Sequence, residues 1–219
     1  LFKASAAKGS IPSLLPSQIH YLKSDLTMDD IMASPVGHTL AALIGYVATV
    51  DIQDSKPEYG KLAIYVLAAN LADFDFLPGI FLGDPGRFHH GITHSIGAAV
   101  IFGVIVWIIQ RLRGQHSARM AVVLTALYGS HLLIDWMTAD YRPPYGFPML
   151  WPFSIEKYHF SVSIFINIER YQLFTLPTIL HNLYAMLIEI GILTPILFTI
   201  YYSVTVTIQR SRVGKEKPK

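Results

Sequence analysis

The sequence predicts an all-α protein, a polytopic membrane helix bundle with about five transmembrane spans and a structured extracytoplasmic loop. Three observations carry this reading. Charged residues make up 15% of the 219, where soluble domains carry about 25%. Apolar residues make up 52%, with a mean hydropathy of +0.41, and they gather in long runs. Gly, Pro and Asp clusters then divide those runs into separate segments. The net charge of +2 is too small to suggest a nucleic-acid partner. The absence of cysteine excludes disulfides and thiolate metal sites, leaving His, Asp and Glu as ligands.

Taken in order, residues 1–31 hold no spanning run and no signal-peptide core, and read as an N-terminal extracytoplasmic arm in which His20 is an ordinary surface histidine. Because the chain begins at Leu1, trimming or processing is expected, with Met32 an alternative start. Residues 32–209 form the membrane-embedded domain. Residues 33–50 make a short first span and 51–61 a polar loop. The second span carries Asp73 and Asp75 near its end, before Pro78 and Gly79 stop it. A turn at 84–87 leads to the third span, 90–110. Residues 121–134 form the fourth, which closes with His131 and Asp135. Residues 136–170, rich in Pro, Gly and aromatics, read as a long loop with short helices. Residues 173–208 are too long for one upright span. They read as a helix over 173–188 along the bilayer, a break near Glu189 and Gly191, and a final span over 192–208. One long tilted helix is the alternative. Glu189 is expected to pair with His181 or to cap the break. Residues 210–219 form a basic cytoplasmic tail.

Ten of the 17 Lys and Arg residues fall in the 51–61 loop, the 110–119 loop and the tail after 209. The positive-inside rule places these in the cytoplasm, with the C-terminus inside and the arm outside. This layout also sorts the ionisable residues. His38 opens the first span, Asp73 and Asp75 end the second, His89, His90 and His94 open the third, and His131 and Asp135 end the fourth. All then lie at one level on the outer side. Ionisable groups in spans are costly and serve a site or pair with one another. A polar cluster that only holds the helices together is the plainer alternative.

Residues 89–95 read His-His-Gly-Ile-Thr-His-Ser, immediately ahead of an apolar run. His90 and His94 share a face if the segment is helical, and Thr93 or Ser95 caps the helix. His131 and Asp135, at i and i+4, can reach one metal, although an Asp accepting from a neighbouring imidazole has the same spacing. Asp73 and Asp75 diverge on an ideal helix. Either the helix unwinds before Pro78, or one Asp ligates while the other orients a histidine. Mixed His and carboxylate ligands suit zinc, manganese or iron, as one ion or two. Such an ion activates water and polarises a phosphoryl or carbonyl oxygen. The chain has no Gly-rich phosphate loop, no HExxH and no GxSxG, which sets aside nucleotide-triphosphate, metzincin-like and serine-hydrolase chemistry.

Between about residues 32 and 155, five motifs stand in order. They are Pro35 with His38, Asp73-Phe-Asp75 with Pro78, the 89–95 block, Ser130-His131 with Asp135, and Gly146 followed by Pro152-Phe153-Ser154. This combination resembles the YdjM-like family of bacterial and archaeal membrane-bound metal-dependent hydrolases, which is more remotely similar to zinc-dependent phospholipases C. The resemblance implies a divalent metal, zinc first, ligated by His38, Asp73, His89, His94, His131 and Asp135. Asp75 then activates water or supports a ligand. His90 stands where the family has Arg: if that Arg holds a substrate anion, the histidine makes the task pH-dependent, or it adds a ligand. The implied activity is hydrolysis of a lipid-like phosphoester at the outer surface of a bacterial or archaeal cytoplasmic membrane, among membrane lipids. The other function class is a transporter or assembly scaffold whose cluster binds an ion or holds spans together. The apolar inner halves of the spans favour a one-sided site. Trp151 to Ser154 line an entrance or belong to an aromatic belt, and Glu156, His159 and Glu169 share their loop.

Overall fold

The computed structural model describes residues 33–50, 57–83, 88–139, 145–169 and 173–215. The expected arm 1–31 with His20, Met32, the turn at 84–87 and the end of the basic tail lie outside the described residues. Among the described residues, six α-helices follow in order: α1 (Pro35–Thr49), α2 (Tyr59–Ala69), α3 (Phe76–Phe81), α4 (Ile96–Leu112), α5 (Arg119–Trp136) and α6 (Leu176–Lys215), with a 3-10 turn over Leu71–Asp75 between α2 and α3. No strand occurs among the described residues, only two isolated bridges, Thr138 with Phe165 and Phe147 with Tyr158. The expected all-α class holds.

The helix starts follow local chemistry. Ser34, in extended conformation, caps α1 by accepting from the Val36 and Gly37 N–H groups, and Pro35 occupies the first turn, where its missing donor costs nothing. Ser95 caps α4 by accepting from Ala98 N–H at 3.0 Å. Gly114, at φ 75°, turns the chain out of α4. α1 packs against α2, α5 and α6, and α4 lies along α5. Ala42 and Tyr46 of α1, Tyr65 and Ala69 of α2, and Leu124 and Leu127 of α5 form one core. Gly45 and Gly103 permit close helix-to-helix approach: a Cβ on Gly45 would meet Leu127 at 2.7 Å, and one on Gly103 would run into Thr125 Oγ1.

The expectation of five spans is not supported. Among the described residues, only α6 is long and apolar enough to cross a membrane, through its segment Leu176–Arg210, and the count reaches two if the pair Tyr59–Ala69 and Leu71–Phe81, bent by 61°, is one broken span. The physical reason is length. α1 has 15 residues and α4 has 17, or about 22 and 25 Å, against a hydrocarbon core of about 30 Å. α5 is longer but carries Arg119, His131 and Asp135. The expected break near Glu189 and Gly191 is also absent, and α6 runs unbroken for 40 residues through Pro195. Glu189 neither pairs with His181, which bonds the Asn167 carbonyl, nor caps a break; it bonds α1 instead. The loop before α6 holds turns rather than short helices in residues 145–169.

Candidate metal centre

The start of α1, the turn after α2, the entrance of α4 and the last turns of α5 meet at one end of the bundle. There the structure brings together all eight residues singled out from the sequence, and all eight are buried. The unwinding expected before Pro78 takes the form of the 3-10 turn, which gives Asp73 and Asp75 separate tasks. Asp73 faces His94 and His131, whereas Asp75 faces the far side of His94 and His89.

Four side chains converge: Asp73, His94, His131 and Asp135. His131 Nδ1 donates to the Ala69 carbonyl at 2.8 Å, since a carbonyl only accepts. Its Nε2 therefore presents a lone pair to the cluster. His94 Nδ1 lies 3.2 Å from Asp75 Oδ2, which turns its Nε2 inward in the same way. The two Nε2 atoms are 3.2 Å apart. Asp135 Oδ2 stands 3.0 Å from His131 Nε2 and 3.5 Å from His94 Nε2, and Asp73 Oδ1 stands 3.5 and 3.6 Å from the same pair.

These atoms fit a metal ion. Bonds of about 2.0–2.1 Å give a tetrahedron edges of about 3.3–3.4 Å, and the five separations above run from 3.0 to 3.6 Å. Asp73 Oδ1 and Asp135 Oδ2 are buried and make no hydrogen bond. Two lone pairs and two carboxylate oxygens facing each other away from water need a cation between them. A proton partly serves: burial opposes charge on His94, but the Asp135, Asp73 and Asp75 carboxylates outweigh it and hold His94 well above the ordinary histidine value. A second group that can hold an ion, His89, His90 and His94, shares His94 with the first.

The remaining residues surround this tetrad. His38 is stacked on His131 with centroids 3.9 Å apart, and its Nε2 is 3.4 Å from Asp135 Oδ1. It is placed beside Asp135 rather than among the four converging atoms. Asp75 accepts from His89 Nδ1 at 2.9 Å and from the Thr93 hydroxyl at 2.7 Å. With His94 as well, both its oxygens are committed to orienting neighbours. His90 stacks on His89 at 4.0 Å and sits at φ 56°, a left-handed conformation that is uncommon for a residue other than glycine. Ser95 is the helix cap, which leaves Thr93 for Asp75. Tyr128 steadies the block by donating to the Thr93 carbonyl at 2.7 Å. Gly97 N–H donates to the Trp151 carbonyl and Ile96 N–H to that of Met149, fastening the loop against α4. Glu156 accepts from the Tyr158 hydroxyl, His159 packs on Tyr145, and the Glu169 backbone N–H donates to the Asn182 side-chain oxygen.

Sequence reasoning missed the part played by Glu189. Its carboxylate accepts from Ser34 and Gly37 at the start of α1, and the only signal was a lone acid in an apolar run. No curated protein and no solved structure matches the chain. Residues 32–213 match the family described as YdjM inner membrane protein, and the chain belongs to that family.

Proposed function

We propose that the protein is a membrane-bound metal-dependent hydrolase that cleaves a phosphoester, with a lipid as substrate. The observation that carries this is the convergence of His94 Nε2, His131 Nε2, Asp73 Oδ1 and Asp135 Oδ2 at the spacing of a metal's coordination shell. A divalent cation there, zinc first and manganese or iron next, supplies Lewis acidity and an activated water. The chain's own residues do the rest. The Ala69 carbonyl and Asp75 fix the tautomers of His131 and His94. Thr93 and His89 hold Asp75, and His38 lies against Asp135. Asp75 acts through the histidines, with its oxygens occupied, and His90 is the residue nearest the role of the family's arginine. A histidine gives one neutral lone pair, so His94 serves one ion at a time, which favours a single ion per chain.

The substrate class draws on the surroundings. Phe74, Leu77, Ile80, Phe81, Phe88 and Ile92 are exposed in the same segments that build the cluster. An apolar rim of this kind suits a substrate drawn from the bilayer. The similarity to zinc-dependent phospholipases C expected from the motifs supplies the phosphoester. The bias of Lys and Arg toward the 51–61 loop, the 110–119 loop and the tail supports a site on the extracytoplasmic side with the C-terminus inside.

One observation favours a second reading. His38, His94 and His131 have no exposed surface and Asp135 has almost none, which suits an ion-binding or structural centre in a transporter or scaffold. Elemental analysis of the purified protein followed by a phosphoester screen tests both. Bound metal with turnover lost in His94→Ala supports the hydrolase. Bound metal with no turnover on any lipid phosphoester supports the structural centre, and absence of metal removes the mechanism.

A further inference from the structure

We propose that Glu189, on the apolar helix α6, is a positioning residue for the metal centre and acts through the first turn of α1. The proposal rests on the metal-centre reading above. Glu189 is fully buried. Its Oε1 accepts from Ser34 N–H at 2.6 Å, and its Oε2 accepts from Gly37 N–H at 3.0 Å and from the Ser34 hydroxyl. A carboxylate inside an apolar helix is costly unless its oxygens are satisfied. Here it takes up the unpaired N–H groups of a helix start, where a negative charge also complements the helix dipole. Gly37 leaves room for it, since a Cβ there would stand 2.9 Å from both Glu189 Cδ and Oε2.

The adjacent backbone donor connects this contact to the metal centre. Ala33 N–H donates to Asp135 Oδ1 at 3.0 Å. The other oxygen of Asp135 is the one that faces His94 and His131. Two neighbouring residues therefore meet two carboxylates: Glu189 holds Ser34, and the backbone so held presents Ala33 to Asp135. One turn further on, His38 reaches the same Asp135. A shift of the α1 start turns Asp135 and moves His38 together. Glu189 is the point at which α6 sets that start.

The test uses the full chain in detergent, stripped with a chelator and titrated with Zn²⁺, with thermal unfolding measured in parallel. Glu189→Gln keeps the size but loses the charge and one acceptor. It is expected to weaken zinc binding by about 10- to 100-fold at temperatures where the variant is fully folded, as loss of a group orienting a ligand does. A role in stability alone would lower the melting temperature and leave the affinity of the folded protein unmoved. Ser34→Ala removes one donor to Glu189 and is expected to lose less, about 10-fold or under; it decides the matter if Glu189→Gln does not fold. Unchanged zinc affinity in the folded variant overturns the proposal while leaving the metal centre standing. A wild-type protein that binds no zinc overturns the metal-centre reading first, and the proposal with it.

Discussion

His94 and His131 face each other through Nε2 atoms 3.2 Å apart, while each turns its Nδ1 to an oxygen, of Asp75 and of the Ala69 carbonyl respectively. Both rings thus spend their proton outward and their lone pair inward. Neutral imidazoles so arranged repel, and the Asp73 and Asp135 oxygens beside them add negative charge. Positive charge between them, a metal ion or in its absence a proton on His94, makes the arrangement favourable.

The first prediction is a binding stoichiometry. The purified protein is expected to hold one divalent ion per chain, counted by elemental analysis after removal of adventitious metal. His131→Ala and Asp135→Asn each remove one of four converging atoms and are expected to leave the ion substoichiometric. Two ions per chain in the wild type would contradict the single-ion reading, because the two groups that can hold an ion share His94.

How much of this was legible in the sequence depends on distance along the chain. His131 and Asp135 could be read together because one helix carries both at i and i+4. The grouping of four segment ends was also readable, since alternating direction returns every second connection to the same end of a bundle. Glu189 was not readable, because Ser34 and Gly37 lie 155 and 152 residues away, and no local pattern records such a contact. The same contact explains why the break placed at Glu189 does not occur: an acid satisfied by a neighbouring helix start has no need to end its own helix. The number of spans failed for a different reason. Apolar composition reports burial or lipid exposure but not helix length, and α1 and α4 are each shorter than the bilayer core.

The second prediction concerns pH. In the metal-free protein His94 titrates well above 6.5, so the folded state binds this proton more tightly than the unfolded chain does. The resulting stabilisation is complete below about 6.5 and is lost as pH rises through the folded value. A metal ion competes with that proton. Chelator-treated protein is therefore expected to melt at a lower temperature at about pH 8.5 than at about pH 6, and zinc to raise the melting temperature more at the higher pH. Equal zinc increments at both pH values would contradict the assignment of His94.

The third prediction tests the α4–α5 contact. A Cβ on Gly103 would overlap Thr125 Oγ1, which is held by its own bond to the Ala121 carbonyl. Gly103→Ala must part the two helices and is expected to cost about 1–3 kcal/mol in thermal or denaturant unfolding. Thr125→Ala in the same chain removes the overlapping oxygen and is expected to restore part of that loss. Strict additivity of the two substitutions would mean that the side chains do not meet.

The fourth prediction separates covering the centre from building it. Phe147 is almost fully buried, its ring lies 5.8 Å from those of both His90 and His94, and it donates no ligand atom. Its loop is fixed at both ends, by the Tyr158 backbone pairing and by the Met149 carbonyl on Ile96. Phe147→Ala leaves every residue of the tetrad and every group orienting it in place. The substitution is expected to cost about 3–5 kcal/mol as a core truncation. Because it also opens a path between solvent and the histidines, a chelator is expected to remove bound metal faster, with stoichiometry still at one ion. Both readouts are needed, since a variant that is merely less stable would lose metal only as it unfolds. An unchanged rate of metal loss in folded Phe147→Ala would mean that access to the centre runs elsewhere, past Asp73 and Asp75, each 9% exposed.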